Sequence, residues 1–212
     1  MGEIVTAADR LDRLSDERRE AIASAGIEEF GRCGYQKAST EAIARKAGIS
    51  KGLLFFYFSN KRALYLYLID FFTERMEAIV ADEEFYRIDD FFELLGYAAR
   101  KKTAVFERCP WIFDFFLRVF YPEHRAVRDV LNAWNQQQID QMLRIYFKNV
   151  RFDRFRDDVD VRHVVDQLIW LCDGYLHQQR CLRRRIDLDM LLDELEQWCD
   201  MLKAYAYKEE YR

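Results

Sequence analysis

Proline and glycine are scarce in this chain, two and eight among 212 residues. A chain built from strands alone needs a turn about every ten residues, and those two residue types supply most turns, so an all-β fold is excluded. Long apolar runs are missing as well. None reaches the roughly 18 residues of a membrane-spanning helix, and the greasiest stretch, Leu64 to Phe72, is interrupted by Asp70 and soon by Glu74. The five cysteines (Cys33, Cys109, Cys172, Cys181, Cys199) are odd in number and contain no CxxC pair. With no signal peptide, they are expected to be small core thiols in a reducing cytoplasm. Catalytic signatures are absent too: there is no GxSxG, HExxH or P-loop. Asp160-x-x-His163 and His177-x-x-x-Cys181 each place two potential ligands on one helical face, but the paired Glu-x-x-His repeats of a di-iron bundle are lacking. Neither an enzyme, nor a cofactor, nor a metal site is expected.

What is present is helical. Half the residues are apolar and a third are charged, and the apolar ones recur at three- and four-residue steps. The pattern predicts an all-α fold of about nine helices. Ser15, followed by Asp16 and Glu17, is a helix start, and that helix stops near Gly34. Thr40–Lys46 is a short helix that Thr40 is placed to cap. Ala47-Gly48-Ile49 makes a turn, and Ser50 begins a third helix through about Phe56. Ser59 or Asn60 caps a long fourth helix to about Ala81. Further helices are expected near Asp89–Arg108, Pro110–Phe120, Glu123–Asn149, Val159–Arg184 and Leu188–Lys208, with Pro110 and Pro122 at helix starts. Arg151–Asp158 reads as a loop. Arg183-Arg184-Arg185 reads as structural charge at a helix end.

The net charge of −4 is unevenly spread. Between Asp16 and Arg62, nine basic side chains face six acidic ones, a surplus of three positive charges that leaves −7 on the remainder. A mildly basic head on an acidic body suits a protein that touches DNA at one end.

The segment from Thr40 to Lys61 carries the functional argument. A helix-turn-helix needs a small residue where its two helices cross, and Ala44 supplies it. It needs a turn residue that tolerates positive φ, and Gly48 supplies that. Ile43, Ala47, Ile49, Leu54 and Tyr57 fall at the inward offsets. Ser50, Lys51, Gly52, Leu53, Phe55 and Phe56 remain outward, where a major groove could receive them. For the last two, the alternative is that one packs against the first helix; for Tyr57, it is a core residue showing only its hydroxyl.

Residues 40–61 together with Phe30-Gly31-Arg32-Cys33-Gly34-Tyr35 resemble the N-terminal signature of the TetR family of transcriptional regulators, over about residues 18–65. The resemblance implies a lead-in at 1–15, a DNA-binding domain at 16–62 and a ligand-binding and dimerisation domain at 63–212. It implies a repressor released from a double-stranded operator by a small apolar or aromatic effector; the alternative is a helical binding module without DNA binding. It makes Thr40 a phosphate contact, brings Lys51 and Gly52 to the DNA, and sets Tyr57 and Lys61 on the sugar-phosphate backbone. The full candidate set is Ser39, Thr40, Ser50, Lys51, Gly52, Leu53, Phe55, Phe56, Tyr57 and Lys61. Leu53 and Phe55 stand where many members have Thr and Tyr, which shifts contacts towards thymine methyls.

For the body, the resemblance implies an inducer pocket. Trp111, Phe115, Trp134 and Trp170 are candidate walls, and Asp114, Arg118 and His177 are candidate polar anchors. Two greasy stripes close the chain: Val161, Val164, Leu168, Cys172 and Tyr175, then Leu188, Leu191, Leu195, Trp198 and Leu202. They are expected to pair across a two-fold axis, giving a homodimer through the last two helices.

Overall fold

A computed structural model describes residues 14–211. The lead-in expected at 1–15 therefore lies, except for Leu14 and Ser15, outside the described residues. Among these there are nine α-helices: α1 (Asp16–Lys37), α2 (Thr40–Lys46), α3 (Lys51–Tyr57), α4 (Lys61–Val80), α5 (Phe91–Arg108), α6 (Pro110–Phe120), α7 (Arg125–Ile145), α8 (Val161–Cys181) and α9 (Leu188–Ala206). The one departure from helix and loop among them is an isolated antiparallel bridge between Phe155 and Tyr207. None of these helices is long and apolar enough to cross a membrane. All five cysteines are free.

Most helix starts are set by side-chain caps that accept an otherwise unpaired N–H. Ser15 accepts from Arg18 N, Ser50 from Leu53 N, Asn60 from Ala63 N, and Asp187 from Met190 N. Two expected starts are corrected. Ser39, not Thr40, caps α2: its backbone is extended and its hydroxyl accepts from Ala42 N at 3.2 Å, so Thr40 is the first helical residue. Pro122 does not open α7; His124 does, its ring Nδ1 accepting from Ala126 N at 3.2 Å.

The chain divides into two compact units, one holding the described residues to Ala78 with Arg108–Asp140, the other holding Ile79–Glu107 with Gln141–Arg212. In the first unit, α1 packs along α6 and α2, and α2 on α3. Glycine allows two close approaches. A Cβ on Gly26 would lie 2.5 Å from Leu68 Cδ1 of α4, and one on Gly31 would lie 2.2 Å from the backbone carbonyl oxygen of Trp111. Around these crossings the rings of Phe30, Tyr65, Phe72 and Phe115 meet, with Phe30 4.7 Å from Tyr65 and Phe115 5.6 Å from Phe72 between centroids.

The second unit is organised by Asp90, its one buried charged residue among those described. Asp90 accepts from Phe92 N and Glu93 N at the start of α5, and its other oxygen receives Arg154 and Lys203, each at 3.2 Å. Burial pushes its carboxyl up, but the Glu93 amide and the Lys203 and Arg154 charges prevail, holding it below its ordinary range. Tyr207 accepts from Phe91 N and packs its ring 4.8 Å from Phe155, and the bridge pairs these two segments.

The greasy stripes of the last two helices take a different place from the one expected. Val164, Leu168 and Leu202 are buried in this unit's own core, Val161, Leu195 and Trp198 pack against it, and Tyr175 meets Trp198 edge-on at 6.2 Å. Apolar periodicity marks the face a helix buries without saying against what. The large apolar side chains left outward on α8 and α9 are Trp170, Met190, Met201 and Tyr205.

Gly31→Ala should cost about 1–3 kcal/mol, because backbone and not a flexible side chain occupies the space. Each kcal/mol lowers the melting temperature of a chain this size by about 2–4 °C. Gly52→Ala has no neighbour closer than Ser50 Oγ at 3.9 Å, so it should be neutral or up to about 1 kcal/mol stabilising. Equal melting temperatures for the two variants would contradict the close approach at Gly31. Alkali provides a second check. Burial pushes the Cys199 thiol up from 9.0 to about 12 and raises Tyr65 and Tyr207 above the usual phenol range. These groups hold their protons in the folded chain and lose them earlier when unfolded, so stability should decline as pH rises above about 9. Urea midpoints that stay level into that range would exclude it.

Candidate nucleic-acid interface and helical body

The turn between α2 and α3 follows from Gly48, whose φ of +69° is costly for any residue with a Cβ. Ile49 N reaches back to Ala44 O at 3.0 Å, closing the turn. Ile43, Ala44 and Leu54 are buried, fixing the crossing, while Ala47 and Ile49 are half-buried. Lys51 and Gly52 are therefore exposed at the start of α3, with Ser50 capping them. Lys51 leans to Glu41 at 3.6 Å, a weak surface pair that a phosphate could displace.

The two phenylalanines separate clearly. Phe56 is 49 % exposed, whereas Phe55 and Leu53 are half-buried. Tyr57 is only 7 % exposed, so its ring belongs to the head's core. Thr40, relieved of capping, is half-buried, and Ser39 is exposed with its hydroxyl engaged as the cap.

Lys61 has a structural task that its place in the motif does not reveal. Its ammonium donates to Ala38 O at 2.6 Å and Gln36 O at 3.1 Å, and it lies 5.2 Å from the Tyr35 ring centroid. The carbonyls belong to the end of α1, which bends at Gly34 (φ +71°) and needs partners for its last acceptors. Burial lowers the Lys61 pKa, opposed by Glu29. Glu29 in turn accepts from Ser39 N at 2.8 Å, tying α1 to the start of α2. Arg118 of α6 completes the arrangement, donating from Nε to Gly31 O at 3.0 Å.

The residues expected to line a pocket divide between the two units, Trp111, Asp114, Phe115, Arg118 and Trp134 in the first and Trp170 and His177 in the second. Phe115 is fully buried among Tyr65 and Phe72. Trp111 packs under the Arg32 guanidinium, 5.0 Å away, and Trp134 meets Phe120 edge-on at 6.2 Å. Arg118 is committed to α1 as above. Asp114 is exposed. On α8, Trp170 is 59 % exposed beside His163, and His177 is exposed with its Nε2 3.3 Å from Cys181 Sγ. That outward exposure removes Asp114, Trp170 and His177 from any internal wall of the units to which they belong. Among the described residues, no three His, Cys, Asp or Glu side chains converge as a metal site would require.

Lys101 and Lys102 of α5 are both half-buried, and Lys101 pairs with Asp82 at 2.6 Å.

Lys61→Met should leave two carbonyls short of a donor and lower stability by about 1–2 kcal/mol without DNA present. If the remaining N–H also meets a phosphate, the salt-dependence slope of DNA binding should fall by about one. A lowered melting temperature with an unchanged slope would assign Lys61 to the fold alone.

Residues 22–68 match the family described as bacterial regulatory proteins, tetR family. The HTH-type transcriptional repressor AcnR of Corynebacterium diphtheriae is 25 % identical over 191 residues, 85 % of this chain and 90 % of that protein. The HTH-type transcriptional activator FasR of Mycolicibacterium smegmatis is 45 % identical over 58 residues, 27 % of this chain and 26 % of its own. The crystal structure of the transcriptional regulator FadR from Bacillus subtilis in complex with stearoyl-CoA has a similar fold, with a TM-score of 0.60, 17 % identity, and coverage of 85 % of this chain and 97 % of that one. The head geometry and these likenesses agree: residues 22–68 match the TetR family of bacterial regulatory proteins, and the helical architecture resembles that of solved transcriptional regulators.

Proposed function

We propose that this chain is a homodimeric, cytoplasmic transcriptional regulator, a repressor whose α3 enters the major groove of an operator and which an effector bound by the helical body releases. The observation that carries this reading is the capped α2–turn–α3 unit with Lys51, Gly52 and Phe56 exposed together on α3. A helix N-terminus and a lysine suit phosphate, and an exposed phenyl ring suits thymine methyls. AcnR is named a repressor and FasR an activator; we infer a repressor that its effector releases. That FadR is titled as a complex with stearoyl-CoA supports effector binding by the body.

Coupling has a physical route within the first unit. Arg118 and the Trp111 carbonyl hold α6 directly against α1, and α1 in turn holds the start of α2 through Glu29. A displacement of α6 on effector binding reaches the recognition helix through these contacts. A dimer through α8 and α9 would use their outward residues, Trp170, Met190, Met201 and Tyr205, since the inward stripes are already occupied.

Selecting bound DNA from a random library tests the reading. An inverted repeat should emerge, its half-sites about one helical turn or a multiple apart. Lys51→Ala should weaken binding to all sequences and reduce the salt slope by about one, whereas Phe56→Ala should weaken the selected site more than random DNA. No enrichment at all would favour a helical binding module that does not touch DNA.

A further inference from the structure

Three consecutive arginines lie in the turn between α8 and α9, and the end of α8 does not use their side chains. Its last carbonyls are taken by backbone N–H groups: Leu182 N on Gln178 O, Arg183 N on Arg180 O and Arg184 N on Gln179 O, each at 3.0 Å. Arg183 supplies the left-handed residue of this ending, at φ +52°, where glycine is the usual choice. Arg183, Arg184 and Arg185 are exposed, and among the described residues their side chains make no hydrogen bond or ion pair. The charge expected to be structural at a helix end is left over by the fold.

The outward face of α9 has an order of its own. Met190 and Met201 are 57 % and 55 % exposed. Their spacing in sequence is close to three helical turns, so they share one face at a separation of about 16 Å. Between them at the same phase stand Glu194, half-buried, and Gln197, exposed. The stripe therefore reads Met, Glu, Gln, Met at steps of four, three and four. Turned about an axis between Leu195 and Glu196, Met190 falls on Met201 and Glu194 on Gln197. That gives an apolar contact and an amide-to-carboxylate hydrogen bond, each made twice, and such self-complementarity is what a two-fold interface requires. The ends follow the same symmetry. The arginine turn lies as far before the axis in sequence as residues 206–208 lie after it. Directly beyond stand Glu209 and Glu210, exposed and without an ion pair among the described residues. Lys208 would oppose the arginines, but its ammonium is engaged by Asp153 O at 2.9 Å and the Asp157 carboxylate at 3.5 Å.

The geometry points to a second copy of this chain on this face, its α9 antiparallel to the first about a two-fold axis between Leu195 and Glu196, with Arg183, Arg184 and Arg185 of each protomer against Glu209 and Glu210 of the other. This rests on the homodimer reading and deepens it, fixing the register of the pair and giving the arginine turn its counter-charge. A slip of one turn would part the methionines and draw the arginines away from the acids, so charge at the ends also selects the register.

Sedimentation velocity over a concentration series reads the dimer constant of the full chain. Arg183→Glu, Arg184→Glu and Arg185→Glu together should weaken the dimer about tenfold or more, and Glu209→Arg with Glu210→Arg should do the same. The chain carrying both reversals should return to within about threefold of wild type, because the pairing is exchanged end for end. Register is read separately, in a chain whose exposed Cys33 and Cys181 are changed to serine. With Met190→Cys and Met201→Cys together, a bifunctional maleimide reaching about 10 Å, the spacing of packed helices, should link the protomers. Either methionine change alone should give little product, since each residue then faces only an unreactive one. A wild-type dimer that neither reversal weakens, reversals that do not rescue one another, or single variants that link as readily as the double overturn the pairing and leave the homodimer reading standing. An arginine reversal that weakens DNA binding with the dimer constant unchanged gives the turn to nucleic acid and overturns the pairing likewise. A wild-type chain that stays monomeric throughout the series removes the homodimer reading, and the pairing with it. Should a reversal variant misfold by circular dichroism, the cross-link decides alone.

Discussion

The end of α1 is the constraint on which the DNA-binding head depends. A helix that stops leaves its last carbonyls without N–H partners, and this one bends at Gly34 before it stops. Two helices supply what is missing or press against it: Lys61 from α4 on Gln36 O and Ala38 O, and α6 with Arg118 on Gly31 O and the Trp111 carbonyl against Gly31 itself. Glu29 then accepts the Ser39 amide and sets where α2 begins. The position of α3 is thus inherited from a backbone segment outside the helix-turn-helix itself.

The second unit solves a comparable problem with one buried carboxylate. Asp90 is buried, yet it receives two amides and two cations, so its negative charge is matched. A matched buried charge ties the start of α5 to the segment at Arg154 and to α9 through Lys203.

Much of the head was legible in the residues. Gly48 in the turn, Ala44 at the crossing and the inward placement of Ile43 and Leu54 depend on local sterics and helical phase. What escaped was which of two adjacent candidates takes a role. Ser39 caps α2 in place of Thr40 because Glu29, ten residues earlier, holds its amide. Phe56 and not Phe55 faces outward because Leu54 and Tyr57 set the buried side of α3. The body was harder to read. Its apolar stripes were visible, but Trp170 looks as inward as Phe115 when only spacing is considered, and it is 59 % exposed.

By itself the sequence determined the helical class, the caps and turns, and the helix-turn-helix with its outward Lys51 and Gly52, since these follow from interactions within a few residues along the chain. Only the tertiary structure decided that Lys61 holds the end of α1, that the last two helices spend their greasiest faces on their own unit, and that Asp90 is met by Arg154 and Lys203. Each of these depends on which distant backbone or side chain lies opposite, and a helical period records that a face is buried but not what it meets.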